Sequence, residues 1–312
     1  MKTQPLSVIA ILTAFLCVNA CGPVEIFAVV PENAEKRKID SLKFAPPFGR
    51  IAIVSHSTLN IKYLDATIDN HHRYAKKFGY DYIFRNGVLT QRYLDRTQGS
   101  AVFQLGLYWQ KLQAVKEALE EGYDWVLWVD PDILFTNFET SLEDIIHKSR
   151  THNEEFIIAG ENFCKVNTGV FLVHQSAWSH QMLEHIASLH FAYKRDLLPE
   201  QLAVQDYIKG FARFGSDGRW SFTPDNQRNY SKKTIAKTVI IPQRDINSFY
   251  KGNFWLPGST SDERVWQPGD FICHFAVRGK SKEPEMRALS ACFKEKCSEH
   301  YEDNNQCLKA CR

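Results

Sequence analysis

Two aspartates separated by one proline, Asp130-Pro131-Asp132, follow the apolar run WVLWV at 125–129. Proline stiffens the turn between them. Carboxylates two positions apart can then converge on one hard cation, which takes oxygen ligands from the protein and from a phosphate-bearing substrate. The competing reading is a plain turn, in which Asp130 caps the backbone and Asp132 is solvated. A late histidine, His274, sits beside Cys273 in another apolar run and is either a further ligand or a buried structural imidazole. None of the 11 histidines forms H-x-H or H-E-x-x-H, and the adjacent pair His71-His72 has poor geometry for one ion, which counts against a metal-dependent hydrolase.

Elements that could carry these residues follow from periodicity. Short apolar runs at 50–54, 81–84, 125–129, 156–159 and 169–173 read as strands, with later ones at 239–241 and 271–272. Helical spacing covers 61–78, ending at Gly79, and 101–121, ending at Gly122; further helices fit 176–190 and 199–212. Alternating strands and helices predict an α/β fold, an open, mostly parallel sheet flanked by helices. In such sheets ligands bind beyond the carboxyl ends of the strands, which is where Asp130 and Asp132 fall.

The 312 residues and the 44% hydrophobic, 24% charged composition describe a core-forming globular chain. A net charge of +2 without a basic stripe excludes a nucleic-acid partner. Residues 1–21 carry an apolar run from Leu6 to Val18, too short for a membrane span, and read as a signal peptide or signal anchor. Val18-Asn19-Ala20-Cys21 also passes as a bacterial lipobox, with Cys21 as the anchor point. Each reading puts the remainder outside the cytosol, and membrane contact would run only through that N-terminal segment. Residues 22–48 read as stem or linker, 49–285 as the catalytic domain and 286–312 as a cysteine-rich tail. Cys292, Cys297, Cys307 and Cys311 fall in the tail without C-x2-C spacing, which favours disulfides over zinc. Asn229-Tyr230-Ser231 is one glycosylation sequon.

Five blocks, in order, resemble glycosyltransferase family 34, the galactosyl-, mannosyl- and xylosyltransferases of the GT-A fold. They are Lys111-Leu112 with 123–137 (YDWVLWVDPDILFTN); 166–173 (VNTGVFLV) with Trp178 and Ser179; Gln205-Asp206; 241–244 (IPQR) with Asn247 and Ser248; and 269–276 (GDFICHFA). The resemblance implies a retaining, metal-dependent transferase that moves a hexose or pentose from a nucleotide-diphosphate sugar to a glycan or glycoconjugate hydroxyl. Donors used in the family are UDP-galactose, UDP-xylose and GDP-mannose. It implies Mn2+ or Mg2+ held by Asp132, by His274 and by Asp130, which could instead meet the donor ribose. It puts Asn167 and Gly169 against the donor sugar and Lys111 close by. Lys280 would bind phosphate, with Lys282 and Arg278 as nearby substitutes. Gln205 and Asp206 would serve the anomeric carbon and the sugar hydroxyls. Glu200-Gln201 offers a competing register, with Leu202 where the family has aspartate.

The chain departs from the family pattern at Val277, at His174-Gln175 and in the cysteine tail. A catalytically inactive sugar- or nucleotide-binding protein on the same scaffold is the alternative function. The resemblance also favours the secretory lumen, most plausibly the Golgi.

Overall fold

The computed structural model describes residues 48–58, 61–94, 105–161, 165–196, 198–209, 237–250, 265–276 and 282–296, together with the backbone of three short strands outside those ranges. In chain order, β1 is Ile26–Ala28, β2 Ile51–Ser57, α1 Leu64–Phe78, β3 Asp81–Asn86, α2 Gln110–Glu120, β4 Trp125–Val129 and β5 Ile133–Phe135. Next come α3 (Leu142–Ser149), β6 (Phe156–Glu161), β7 (Lys165–His174), α4 (Ala177–Ser188), α5 (His190–Tyr193) and α6 (Pro199–Lys209). The chain continues through β8 (Ala212–Phe214), β9 (Trp220–Phe222), β10 (Thr238–Ile241), α7 (Gln243–Ile246), β11 (Ser248–Phe249), β12 (Ile272–His274) and α8 (Lys282–Lys296).

The main sheet has seven strands in the order β1-β3-β2-β4-β7-β6-β10. β3, β2, β4, β6 and β10 share one direction, and β7 and the edge strand β1 run against them. The expected open, mostly parallel α/β sheet is therefore present. β1 lies inside the stretch read as stem. The period-2 alternation of side chains divides each central strand between two cores. Val126 and Trp128 pack with α2, α4 and α6 on one face, and Trp125, Leu127 and Val129 with α1 and α3 on the other. All five residues of β4 are buried, which is why they read as an unbroken apolar run.

Local signals explain the element ends. Gly79 ends α1 at φ +77°, and Tyr80 N–H donates back to Ala75 O at 2.9 Å, closing the last turn. α3 begins at Ser141, whose Oγ accepts from Asp144 N–H at 3.0 Å and donates to its carboxylate at 2.7 Å, a variant of the capping box. The expected helix at 101–121 is regular from Gln110, and residues expected as the end of a helix at 199–212 instead open β8.

A second sheet, β11-β12-β5, lies beyond the carboxyl end of β4. β12 runs antiparallel to β5 with His274 opposite Ile133, which sets the late histidine beside the acidic turn. The tail expected to have little to bury does bury part of itself: Met286, Leu289 and Phe293 of α8 pack with Leu134, Trp266, Cys273 and Phe275. Among the described residues no helix is long and apolar enough to cross a membrane. The N-terminal segment 1–21, Cys164, Arg278, Lys280, the sequon and the tail cysteines beyond Cys292 lie outside the described residues.

Candidate active site

The acidic turn is braced from α1. Thr67 Oγ1 donates to Pro131 O at 2.9 Å, His71 Nε2 bonds Ile133 O at 2.8 Å and Tyr74 OH donates to Thr140 O at 2.7 Å. Asn70 meets the Phe135 backbone from both ends, donating to its carbonyl at 3.0 Å and accepting from its N–H at 2.7 Å. These residues are spaced 67, 70, 71 and 74, one face of a helix, and all are buried. They satisfy backbone groups on the edge of β5 that faces away from β12. His71 is thereby a structural residue and not a ligand. Burial holds its imidazole down at about 4, so it is neutral at pH 7.

Asp130, Asp132 and His274 each offer a ligand atom within 4.8 Å of the others. Asp130 Oδ1 accepts from Trp128 Nε1 at 2.8 Å and faces Lys111 Nζ at 3.2 Å; neither donor uses Oδ2. Burial raises the Asp130 carboxyl, Lys111 opposes that and Asp132 adds to it. Asp132 is also pushed up by burial, but Lys282 and His274 outweigh that and hold it well below the usual carboxylate range. Lys282 Nζ sits 2.5 Å from Asp132 Oδ2, and His274 Nε2 sits 3.4 Å from Oδ1.

His274 is held from behind, where Nδ1 lies 2.7 Å from Asn247 Oδ1. Asn247 in turn donates through Nδ2 to Asn167 Oδ1 at 2.7 Å. Nδ1 is therefore the nitrogen that donates to Asn247, and Nε2 is the nitrogen that faces the Asp132 carboxylate. A ring nitrogen and a carboxylate oxygen facing one another beside a second carboxylate form the environment that a divalent cation satisfies. Two carboxylates and one imidazole suit Mn2+ or Mg2+ when phosphate oxygens complete the shell. The residues fit the metal that the resemblance implies.

A shift in strand register shapes the other wall. Ile158 pairs with Phe171 but Ala159 pairs with Asn167, so β7 bulges at Thr168, Gly169 and Val170. Bulges re-aim side chains. Here Asn167 Oδ1 caps Gly169 N–H at 2.8 Å, and Asp130 N–H donates to Gly169 O at 2.8 Å. A Cβ on Gly169 would lie 2.5 Å from His274 Cε1 and 2.9 Å from Asn167 Oδ1. Within the protein, the close approach that requires glycine here is made by the His274 ring.

Lys111, expected near the site, is a buried hub. Its ammonium donates to Thr168 O at 3.2 Å and pairs with Glu200 Oε1 at 2.9 Å as well as with Asp130. α6 brings Glu200 and Gln201 to this wall: Glu200 Oε1 accepts from Thr168 Oγ1 at 3.1 Å, and Gln201 Oε1 accepts from Thr168 N–H at 3.2 Å. Gln205 lies a turn further on, buried, with no hydrogen-bond partner for its Oε1 among the described residues, and Asp206 is half-buried. Glu200 and Gln201, the competing register, are thus the pair that touches Thr168 of the bulge. The helix pattern left both registers open, because residues four apart share a face.

Glu161 and Asn247 also enter the site, and neither was chosen from the sequence. Asn247 stood inside a recognised block. The signal for Glu161 was a carboxylate closing an otherwise apolar strand. A cavity of about 370 Å³ opens beside Asp130 and Asp132. Its walls include His56, Ser57 and Thr58 at the end of β2, Tyr63 and Trp128, with Tyr108 at 42% exposure. Burial lowers His56 to about 4, and its Nε2 bonds Gly87 O at 2.6 Å, so it faces the cavity as a neutral ring.

A mostly parallel sheet with an acidic pair at its carboxyl edge, a cavity beside that pair and a histidine returned by a small second sheet is the architecture of the GT-A glycosyltransferases. A crystal structure of a glycosyltransferase involved in glycosylation of the major capsid of PBCV-1 aligns with a TM-score of 0.51 and 16% identity, over 75% of this chain and 98% of that one. At that identity the likeness is one of fold. Residues 51–155 match the galactosyl transferase GMA12/MNN10 family, which bears out the resemblance read from the sequence. The matched stretch contains Lys111, Asp130 and Asp132; Asn167, Gln201 and His274 lie beyond it.

Among curated proteins, Glycosyltransferase 6 of Arabidopsis thaliana is 28% identical over 119 residues, 36% of this chain and 24% of that protein. Xyloglucan 6-xylosyltransferase 4 of the same plant is 27% identical over 228 residues, 66% of this chain and 42% of that protein. Galactomannan galactosyltransferase 1 of Cyamopsis tetragonoloba is 25% identical over 173 residues, 49% of this chain and 37% of that protein. The chain thus spans about a quarter to under half of the length of these relatives.

Proposed function

We propose that the chain is a metal-dependent, retaining glycosyltransferase that moves a hexose or pentose from a nucleotide-diphosphate sugar to a glycan or glycoconjugate hydroxyl. The observation that carries this is the convergence of Asp130, Asp132 and His274 within 4.8 Å beside the cavity. Mn2+ is the metal proposed, and its chemistry when bound is to neutralise the diphosphate as the glycosidic bond breaks. Asp132 and His274 would hold it. Asp130, with Oδ1 already engaged by Trp128 and Lys111, would present Oδ2 to the metal or to the donor ribose. Lys280 and Lys282 are proposed as phosphate-binding cations, Lys282 being released from Asp132 when the site fills. Xylosyl and galactosyl donors, UDP-xylose and UDP-galactose, are favoured by the names of the relatives; GDP-mannose remains the third option.

Gln201 is placed for the transition state. Its carboxamide is fixed by Thr168 N–H and reaches the same wall as Asn167, close to where a donor sugar would lie against the acidic pair. An amide oxygen there can stabilise positive charge at the anomeric carbon without being a strong nucleophile. Glu200 positions Lys111 and, through it, Asp130. A secretory-lumen address, most plausibly the Golgi, and tail disulfides complete the proposal. The latter is supported by Cys292, which is disulfide-bonded while Cys273 is free and buried.

The test is titration of UDP with and without Mn2+, combined with transfer assays of Gln201→Ala and Gln205→Ala. We expect nucleotide binding to tighten with metal, because phosphate completes the metal's shell, and Gln201→Ala to lower kcat about 10²-fold with donor Kd unchanged. Equal UDP affinity with and without metal would overturn the metal bridge. Loss of turnover in Gln205→Ala alone would restore the other register.

A further inference from the structure

Asn247 and Asn167 are the first links of a longer buried chain. Asn167 Nδ2 donates to Glu161 Oε2 at 3.1 Å, and Gln201 Nε2 approaches the same oxygen at 3.4 Å. Every member is buried: His274 4%, Asn247 0%, Asn167 8%, Glu161 8% and Gln201 5% exposed. A chain of amides can run in either direction, because each amide has a donor end and an acceptor end and can be turned over. Its ends decide. A carboxylate accepts and cannot donate, so Glu161 requires Asn167 to present its NH2. Asn167 Oδ1 then faces the other way, where Gly169 N–H and Asn247 Nδ2 both donate to it at 2.8 and 2.7 Å. Asn247 in consequence shows its Oδ1 to His274, and only an Nδ1–H imidazole can answer it.

We propose that Glu161 and Asn247 are positioning residues that write the tautomer of His274: the acceptor at 161, together with the Gly169 N–H, sets the polarity of the chain, and Asn247 delivers it to Nδ1. Nε2 is thereby the nitrogen turned to Asp132. The same Glu161 oxygen draws the amide end of Gln201, which leaves Gln201 Oε1 for Thr168 and the donor wall. One carboxylate thus orients both the imidazole and the carboxamide of the site. This rests on the reading of His274 as a metal ligand only for its consequence; the tautomer itself is a property of the metal-free protein. Partners that fix the second nitrogen of a metal-binding histidine commonly change metal affinity 10–100-fold when removed.

The experiment is nitrogen NMR of the full chain carrying 15N-histidine, metal-free, with Mn2+ titrated alone by calorimetry on the same samples. Where its ring is neutral, wild-type His274 should carry the proton on Nδ1 and leave Nε2 bare. Asn247→Leu and Glu161→Leu should mix or reverse the tautomers and weaken Mn2+ at least 10-fold. Glu161→Gln keeps the volume but can be turned over, so it should loosen the tautomer preference and weaken Mn2+ less than Glu161→Leu does. A wild-type His274 bearing its proton on Nε2 would overturn the proposal. So would Glu161→Leu with an unchanged tautomer and affinity. If the tautomers respond as stated but Mn2+ binds neither wild type nor variant, the metal reading fails and the positioning role stands. Should Asn247→Leu not fold, the wild-type spectrum and the two Glu161 variants decide the matter.

Discussion

Replacing Lys111 by methionine keeps most of its volume and removes its charge from between Asp130 and Glu200. The Lys111–Glu200 pair is 2.9 Å apart with side-chain exposures of 6% and 4%, whereas Asp130 is 25% exposed. Two buried carboxylates would then share a wall without their cation, and Thr168 O would lose a donor. Breaking one side of a buried pair costs about 3–5 kcal/mol. For a domain of this size that corresponds to a fall in Tm of roughly 6–20 °C. The loss should depend on pH. In wild type, burial already raises the Asp130 carboxyl against the pull of Lys111. Without Lys111 it rises further, and a group with a raised folded pKa is destabilising when ionised and loses that penalty once protonated. The deficit should therefore be largest at pH 7–8 and shrink as pH falls into the carboxylate range. Urea unfolding at neutral and mildly acidic pH measures both. A deficit below about 1 kcal/mol that does not vary with pH would refute the hub.

Two further expectations follow from the α1 brace and from the buried imidazoles. Thr67→Val and Asn70→Leu should each destabilise by about 1–3 kcal/mol by leaving backbone groups of 131–135 unpaired, and should weaken Mn2+ binding because Asp132 loses its fixed turn; unaltered metal affinity with lowered stability would leave the brace merely structural. His56 and His71 are both held near 4 by burial against 6.5 when free. The folded state thus binds fewer protons between those values, and stability should fall as pH drops from about 6.5 to 4, by up to about 3 kcal/mol for each ring. His71→Gln should flatten that slope in acid unfolding, and an unchanged slope would contradict a neutral buried His71.

How much of this was legible depended on whether a residue's environment was written in its neighbours. β4 was legible because burial on both faces leaves an unbroken apolar run, and the acidic pair was legible because it interrupts that run. The brace was not. Asn70 and His71 are polar residues on a helix and resemble a solvated face. They are buried because an edge strand brought from 133–135 offers them backbone partners, a fact that only tertiary structure supplies. The bulge at 168–170 was equally hidden, since strand pairing shifts without any change in composition. For Gln201 and Gln205 the sequence narrowed the choice to one helix face and stopped there. Selection between them came from Thr168, which the bulge turns toward α6.

The C-terminal helix shows the opposite error, a legible signal read for another purpose. Met286, Leu289 and Phe293 recur at helical spacing, and that alone predicts an apolar stripe. The cysteines drew the reading instead toward a stapled tail with little to bury. In the structure that stripe packs against Leu134 and Phe275. Arg287 pairs with Asp65 of α1 at 2.9 Å, tying the new helix to the helix that braces the turn. The N-terminal end of α8 is thereby fixed where Lys282 reaches both Asp132 and the face of Tyr63, 5.8 Å from its ring centre. The ammonium on Asp132 Oδ2 compensates that carboxylate where it is largely withdrawn from water. The helix that leads into the tail is thus part of the site's electrostatics as well as its packing: its first residue, Lys282, supplies the positive charge that holds Asp132 ionised beside His274.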